Sequence, residues 1–172
     1  MTTATATEAC GVAAAPGTKA ATFLVFSGEL DKQLMAFTLA NAAAASGMQV
    51  TLFFTFWSLA ALRRPVRTPG KGLVERMFGW MLPRGSRALP LSNLNFGGFG
   101  SKLIRWRMGK KGVASLEEQI VTAQALGVRI VVCETSMDLM GFRKEEMLEG
   151  IELGGATTCL ASATASDMAM VI

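Results

Sequence analysis

Histidine is absent from the 172 residues. That absence removes Ser-His-Asp and Cys-His nucleophile systems and every imidazole-based metal site, so any catalysis has to run on a thiol without an imidazole base. Cysteine is scarce: Cys10, Cys133 and Cys159 are an odd number at long, irregular spacing, which is not a disulfide framework. Charged residues make up only 17% against 51% hydrophobic, an unusually apolar balance. Met1 to Gly17 lacks the basic start and continuous apolar core of a secretory signal, so a cytoplasmic location is expected. No cofactor and no metal are expected.

The longest stretch without a charged side chain, Gln33 to Leu62, is long enough to span a bilayer. Asn41, Ser46, Gly47, Gln49 and Thr51 interrupt it, and Ser46-Gly47 falls where a helix would end before a β-branched and aromatic strand. The pattern favours helix, turn and strand over a membrane span. Formal net charge is +4, and its distribution is uneven: twelve cations from Arg63 to Lys111 crowd the middle third, while Glu145, Glu146, Glu149 and Glu152 load the last. No recognition motif accompanies the basic block, so nucleic acid is not an expected partner. A solvated or subunit-facing surface explains the block equally well.

The Ala/Thr/Gly-rich residues 1–20 form a tail that cannot bury enough surface to order itself. A single domain over residues 21–172 follows. Thr22 to Phe26 reads as a strand, Ser27-Gly28-Glu29-Leu30-Asp31 as a turn whose Asp31 caps a helix from Lys32 to Ser46, and Gln49 to Phe54 as a second strand. Thr55-Phe56-Trp57 is its exit loop and Ser58 to Arg64 a short helix. Regularity is then lost over an insertion of about residues 65–112, in which amphipathic pieces at Leu73 to Leu82 and Ser101 to Met108 flank Asn95 to Gly100. Insertions of this length are usually lids, binding loops or assembly elements.

Ser115 and Glu118 form a capping box for a helix over Leu116 to Leu126. Val128 to Val132 is a third strand, Lys144 to Ile151 a helix, Ala156 to Leu160 a fourth strand and Asp167 to Ile172 a fifth. Strands alternating with helices predict an α/β fold with a parallel sheet between helical layers.

Cys133 ends the third strand and precedes a polar turn, the place where α/β sheets put their chemistry. Its thiolate would gain from nearby backbone N–H groups or from the cations of the insertion. A buried strand-end cysteine acting as a small apolar filler is the competing reading. Ser27 and Gly28 occupy the corresponding end of the first strand, where a small residue admits a ligand or simply makes a turn. Phe56 and Trp57 could wall a pocket or pack as core. Ser136 and Met137, just after the cysteine, are further candidates for a sulfur-friendly pocket. Asn95 to Gly100 lacks the strand and the acidic residue that a nucleotide-binding glycine loop requires, and reads as a flexible lid.

Phe26-Ser27-Gly28-Glu29-Leu30-Asp31-Lys32, Phe53-Phe54-Thr55-Phe56-Trp57, Met81-Leu82-Pro83, Leu89-Pro90-Leu91-Ser92 and above all Cys133-Glu134-Thr135-Ser136-Met137-Asp138-Leu139-Met140-Gly141 resemble the DsrE/DsrF-like family, in its larger subgroup with a middle insertion. The resemblance covers about Thr22 to Ile172. It implies a three-layer α/β/α domain whose five-stranded parallel sheet has the order 4-3-2-1-5, assembling as a homo-oligomer. It also implies a sulfur carrier or sulfurtransferase with a persulfide on Cys133, exchanging sulfur with rhodanese-like or carrier proteins. In that order Phe56 and Trp57 would border Cys133. An alternative of another class is a non-catalytic oligomeric module that docks on a membrane surface or acidic partner through its basic insertion.

Overall fold

The computed structural model describes residues 18–64, 66, 77 and 82–172. Five strands, β1 (Ala20–Val25), β2 (Gln49–Phe54), β3 (Arg129–Cys133), β4 (Glu152–Gly154) and β5 (Met168–Val171), pair in parallel in the order β4-β3-β2-β1-β5. The described helices are α1 (Leu30–Ala45), α2 (Phe99–Lys111), α3 (Leu116–Ala125), α4 (Glu134–Leu139) and α5 (Ala156–Thr164). The three-layer α/β/α architecture and the strand order both match expectation.

Alternating side chains divide the sheet between two helical layers. Ala21, Phe23, Val25, Val50, Leu52, Phe54, Ile130 and Val132 point to one face and join the main core with Leu30, Ala36, Phe37 and Ala40 of α1 and Leu116, Ile120 and Ala123 of α3. Phe23, Phe37 and Phe54 are fully buried, and each such side chain contributes about 1.5–3 kcal/mol of burial. The opposite face, with Thr22, Phe53, Val131 and Cys133, meets α5, which packs against β1, β4 and β5.

The uncharged stretch from Gln33 resolves into α1, a turn at Ser46-Gly47, β2 and a 3-10 turn over Phe56–Leu62. Among the described residues, no helix is long and apolar enough to cross a membrane. The capping box stands as read: Ser115 N donates to a Glu118 carboxylate oxygen at 2.7 Å, and Glu118 N donates to Ser115 Oγ at 3.3 Å.

Several boundaries differ from expectation. β1 begins at Ala20, because the Ala20 amide donates to the Asp167 carboxylate at 2.7 Å and so brings the expected tail's last residue into the sheet. Helix α1 begins at Leu30 with Glu29 as its cap; Asp31 lies inside the first turn, and its carboxylate instead accepts from the amide of Ser92 at 3.0 Å and from the Ser92 hydroxyl. Lys144 to Ile151 is not a helix. A short 3-10 turn at Lys144–Glu146 leads to an extended segment, held by the Leu148 amide on the Leu62 carbonyl and an antiparallel bridge of Arg63 with Met147.

The fourth strand is Glu152–Gly154, and Ala156 to Leu160 is the start of α5, so Cys159 lies on a helix and not on a strand. A three-residue edge strand is too short to show a period, whereas Ala, Thr and Leu suit either structure. The helix expected over Ser101 to Met108 runs longer, as α2. The helical piece over Leu73 to Leu82 lies almost wholly outside the described residues, as does Cys10.

Candidate functional site

The C-terminal ends of β1, β2 and β3 carry all the residues singled out in the sequence. Parallel pairing brings Phe54 opposite Val132, so the loops after β2 and β3 leave side by side. Thr55 Oγ1 and Ser136 Oγ lie 2.9 Å apart and tie the two exits together. Ser58, fully buried, accepts from the Thr55 amide at 3.0 Å and donates to the Val25 carbonyl at 2.7 Å, extending the tie to β1.

Cys133 is half-buried and is the last residue of β3. Its neighbour in the sheet is Gly154, the last residue of β4. A side chain at Gly154 would meet Val131 Cγ1 at 2.9 Å and Thr158 Cβ at 3.1 Å, so the first turn of α5 packs directly onto the strand beside the thiol. That turn also carries Cys159, likewise half-buried. Burial first, and the neighbouring Cys133 second, push the Cys159 thiol above its ordinary range. Both causes disfavour the Cys159 thiolate, the nucleophilic form of the side chain.

Ser27, Gly28 and Trp57 meet in a cavity of about 330 Å³ at the end of β1, together with Phe26, Glu29, Lys32, Leu82, Pro83 and Pro90. Gly28 is required there by close approach: a Cβ would stand 2.6 Å from the Trp57 carbonyl oxygen. Ser27 donates to Glu29 at 2.6 Å, and the Gln33 side-chain amide donates to the Ser27 carbonyl at 2.6 Å. Lys32 pairs with Glu29 at 2.6 Å, and that contact, with Ser27 second, holds the Glu29 carboxyl below its usual range. The cavity wall is mainly apolar with one ion pair at its mouth.

Cys133, Ser136 and Met137 do not line this cavity. Phe56, at a positive φ of 48°, places its ring 5.7 Å from Phe26, and Trp57 closes on Gly28, so both aromatic residues after β2 have contacts on its β1 side. Ser136 is buried against Thr55, and Met137 joins the main core. The polar contacts of the described part of the insertion run to α1, to the Phe56–Leu62 turn and to α3, rather than to the cysteine. Gln33, Lys32 and Gly154 are not among the residues that the sequence marks as site candidates. The Gly154-Gly155 doublet is the signal in the sequence that could mark a close packing point, although by pattern it reads as the stop after a helix over Lys144 to Ile151.

A model of the DsrE/DsrF/DrsH-like family matches residues 17–171. The chain belongs to this family. The uncharacterized protein YrkE of Bacillus subtilis (strain 168) is 42% identical over 156 residues, covering 90% of this chain and 98% of that protein. The sulfur carrier protein DsrE2 of Allochromatium vinosum is 33% identical over 152 residues, covering 84% of this chain and 92% of its own length. Among solved structures, the ychN protein of E. coli aligns with a TM-score of 0.54 at 12% identity, over 90% of this chain and all of that one. The protein MTH1491 of Methanobacterium thermoautotrophicum aligns with a TM-score of 0.53 at 10% identity, over 88% and 98%. These two likenesses concern the fold.

Proposed function

We propose that this DsrE-like protein is a sulfur-trafficking protein that carries sulfane sulfur as a persulfide on Cys133, in the cytoplasm. The observation that carries the reading is the position of Cys133: a half-buried thiol at the carboxyl end of a central strand, beside a residue with no side chain. The name of the Allochromatium relative, a sulfur carrier, supports the same class of activity.

The chemistry needs no imidazole. A Cys133 thiolate attacks the outer sulfur of a donor persulfide, the donor's S–S bond breaks, and its electron pair leaves with the donor thiolate. The sulfur now on Cys133 is passed on when an acceptor thiolate attacks it and Cys133 departs as thiolate. Atoms and electrons balance without an added oxidant or reductant. Donor and acceptor are rhodanese-like or carrier proteins, or a small persulfide. Ser27, Gly28, Phe56 and Trp57 would then meet an approaching partner at the adjoining strand ends, while Ser136 and Met137 position the loop that carries the thiol.

Exposure to a sulfane-sulfur donor followed by intact mass and peptide mapping tests this. The expected product is a reductant-labile adduct of one sulfur on Cys133, lost in Cys133→Ser. An adduct confined to Cys10 or Cys159, or none at all, defeats the reading.

Assembly as a homo-oligomer is part of the proposal. The face of the sheet opposite the main core carries Leu24 and Val171, and α5 packs on it; Val171 and Leu160 of α5 are 74% and 64% exposed. Two or more copies would cover such apolar surface.

A further inference from the structure

Helix α2 packs on the body with the wrong side for an ordinary surface helix. Gly100 is buried and Ser101, Arg105 and Met108 are half-buried, a spacing that marks one stripe of the helix. Arg105 fastens that stripe by donating to the Ser86 carbonyl at 2.5 Å and by facing the Glu117 carboxylate at 3.4 Å. At about 100° per residue, Phe99, Leu103 and Trp106 lie on the opposite side of the helix. They are 67%, 51% and 58% exposed. Leu94 and Phe96, in the turn before the helix, are 72% and 75% exposed.

Surface helices normally face their apolar stripe inward. Here Ser101 and Arg105 face the body while Phe99, Leu103 and Trp106 face out. Lys102 and Arg107 flank the outward stripe, Lys110 and Lys111 end it, and α2 holds no acidic residue. Lys110 Nζ lies 4.3 Å from the centre of the Trp106 ring, so cation and aromatic share one face. Single exposed apolar residues need no explanation, but several together with a basic rim do.

We infer that the outward face of α2 and the turn before it dock on an anionic membrane surface. Phe99, Leu103, Trp106, Leu94 and Phe96 enter the boundary between headgroups and acyl chains, and the flanking cations meet anionic headgroups. Charge complementarity selects this occupant. A stripe in which exposed rings and cations alternate suits a fluid surface, which takes the rings below the headgroups and meets the cations with them. No helix of the described residues can cross a bilayer, so the mode is lying on the surface.

Co-sedimentation of the full chain with vesicles tests this. Binding is expected to mixed phosphatidylcholine and phosphatidylglycerol vesicles and not to phosphatidylcholine alone, weakening as salt rises. Lys102→Gln and Arg107→Gln should each lower partitioning roughly fivefold. Phe99→Ser with Leu103→Ser and Trp106→Ser should abolish it, with circular dichroism and melting temperature unchanged because these side chains point away from the fold. Brominated lipid should quench the wild type more than Trp106→Phe. Cys133→Ser should bind as well as wild type, which keeps this inference separate from sulfur transfer. Absent binding, equal binding to both vesicles, or concentration-dependent self-association through the same residues without vesicle binding would overturn it.

Discussion

Two half-buried thiols face the same side of the sheet, and their surroundings separate their chemistry. Cys159 is held above the ordinary thiol range by burial and then by Cys133. Its alkylation is expected to be slow at neutral pH and to rise only under alkaline conditions, with Cys133→Ser making it faster by removing the second cause. Peptide-level alkylation rates across a pH series measure this; a Cys159 that reacts at neutral pH like an unstructured thiol contradicts it. Gly154 is the other residue on which the site depends. Gly154→Ala forces a methyl group to within 2.9 Å of Val131 and should cost about 1–3 kcal/mol in urea unfolding, with a larger loss of Cys133 loading than Gly155→Ala, where a Cβ meets nothing closer than 4.0 Å. Cys133 was visible in the sequence because a β-branched run ended on it. Its neighbour Gly154 was not, since the sequence pattern sets the fourth strand at Ala156 to Leu160, whereas the strand that pairs with β3 is Glu152–Gly154.

Between elements, the segment after the Phe56–Leu62 turn is anchored by a buried ion pair. Arg63 and Glu146, 4% and 2% exposed, meet at 3.3 Å, and Phe142 stacks 4.1 Å from the guanidinium carbon. Burial works to lower the Arg63 pKa and Glu146 opposes it. Glu146→Ala should therefore cost about 3–5 kcal/mol by leaving a buried cation unpaired, while Arg63→Met with Glu146→Leu should recover most of the loss. Urea unfolding of both variants decides; equal destabilisation by the single and double changes would refute it. A second anchor joins α1 to the loop around Ser92. Burial pushes the Asp31 carboxyl up, but the Ser92 hydroxyl and amide outweigh it and the net shift is downward. A depressed carboxyl stabilises the fold above its unfolded pKa and loses that contribution as pH falls through the folded value, so the gap between wild type and Asp31→Asn should close in acid. Thermal melts at neutral and acid pH check this. The capping box of α3 and the break at Ser46-Gly47 were legible because both are local. The exchange of strand for helix at Ala156 to Leu160 was not, because a short apolar run of small residues takes the structure that its neighbours impose.

At the scale of the whole molecule, the family, the α/β alternation and the parallel sheet were all open to a reader of the sequence. Leu160→Glu with Val171→Glu is expected to shift the protein toward monomer in analytical ultracentrifugation, with its fold intact, if the sheet face beside α5 is where copies meet; a monomeric wild type would remove the proposal. The basic middle third was also visible, yet its chemistry was not. Charge counts are the same whether Phe99, Leu103 and Trp106 face the core or water, and only the packing of Ser101 and Arg105 on the body turns them outward. Strand order sets the backbone that leads into Phe56 and Trp57 next to β3, while the Phe26 ring and the close approach of Trp57 to Gly28 are contacts on the β1 side that no local pattern announces. The sequence by itself determined the excluded chemistries, the alternation of elements and the one thiol at a strand end, because composition and local periodicity are properties of the chain alone. The tertiary structure decided which residues surround that thiol, which helix faces outward and where the cavity lies, because those depend on contacts between segments far apart in sequence.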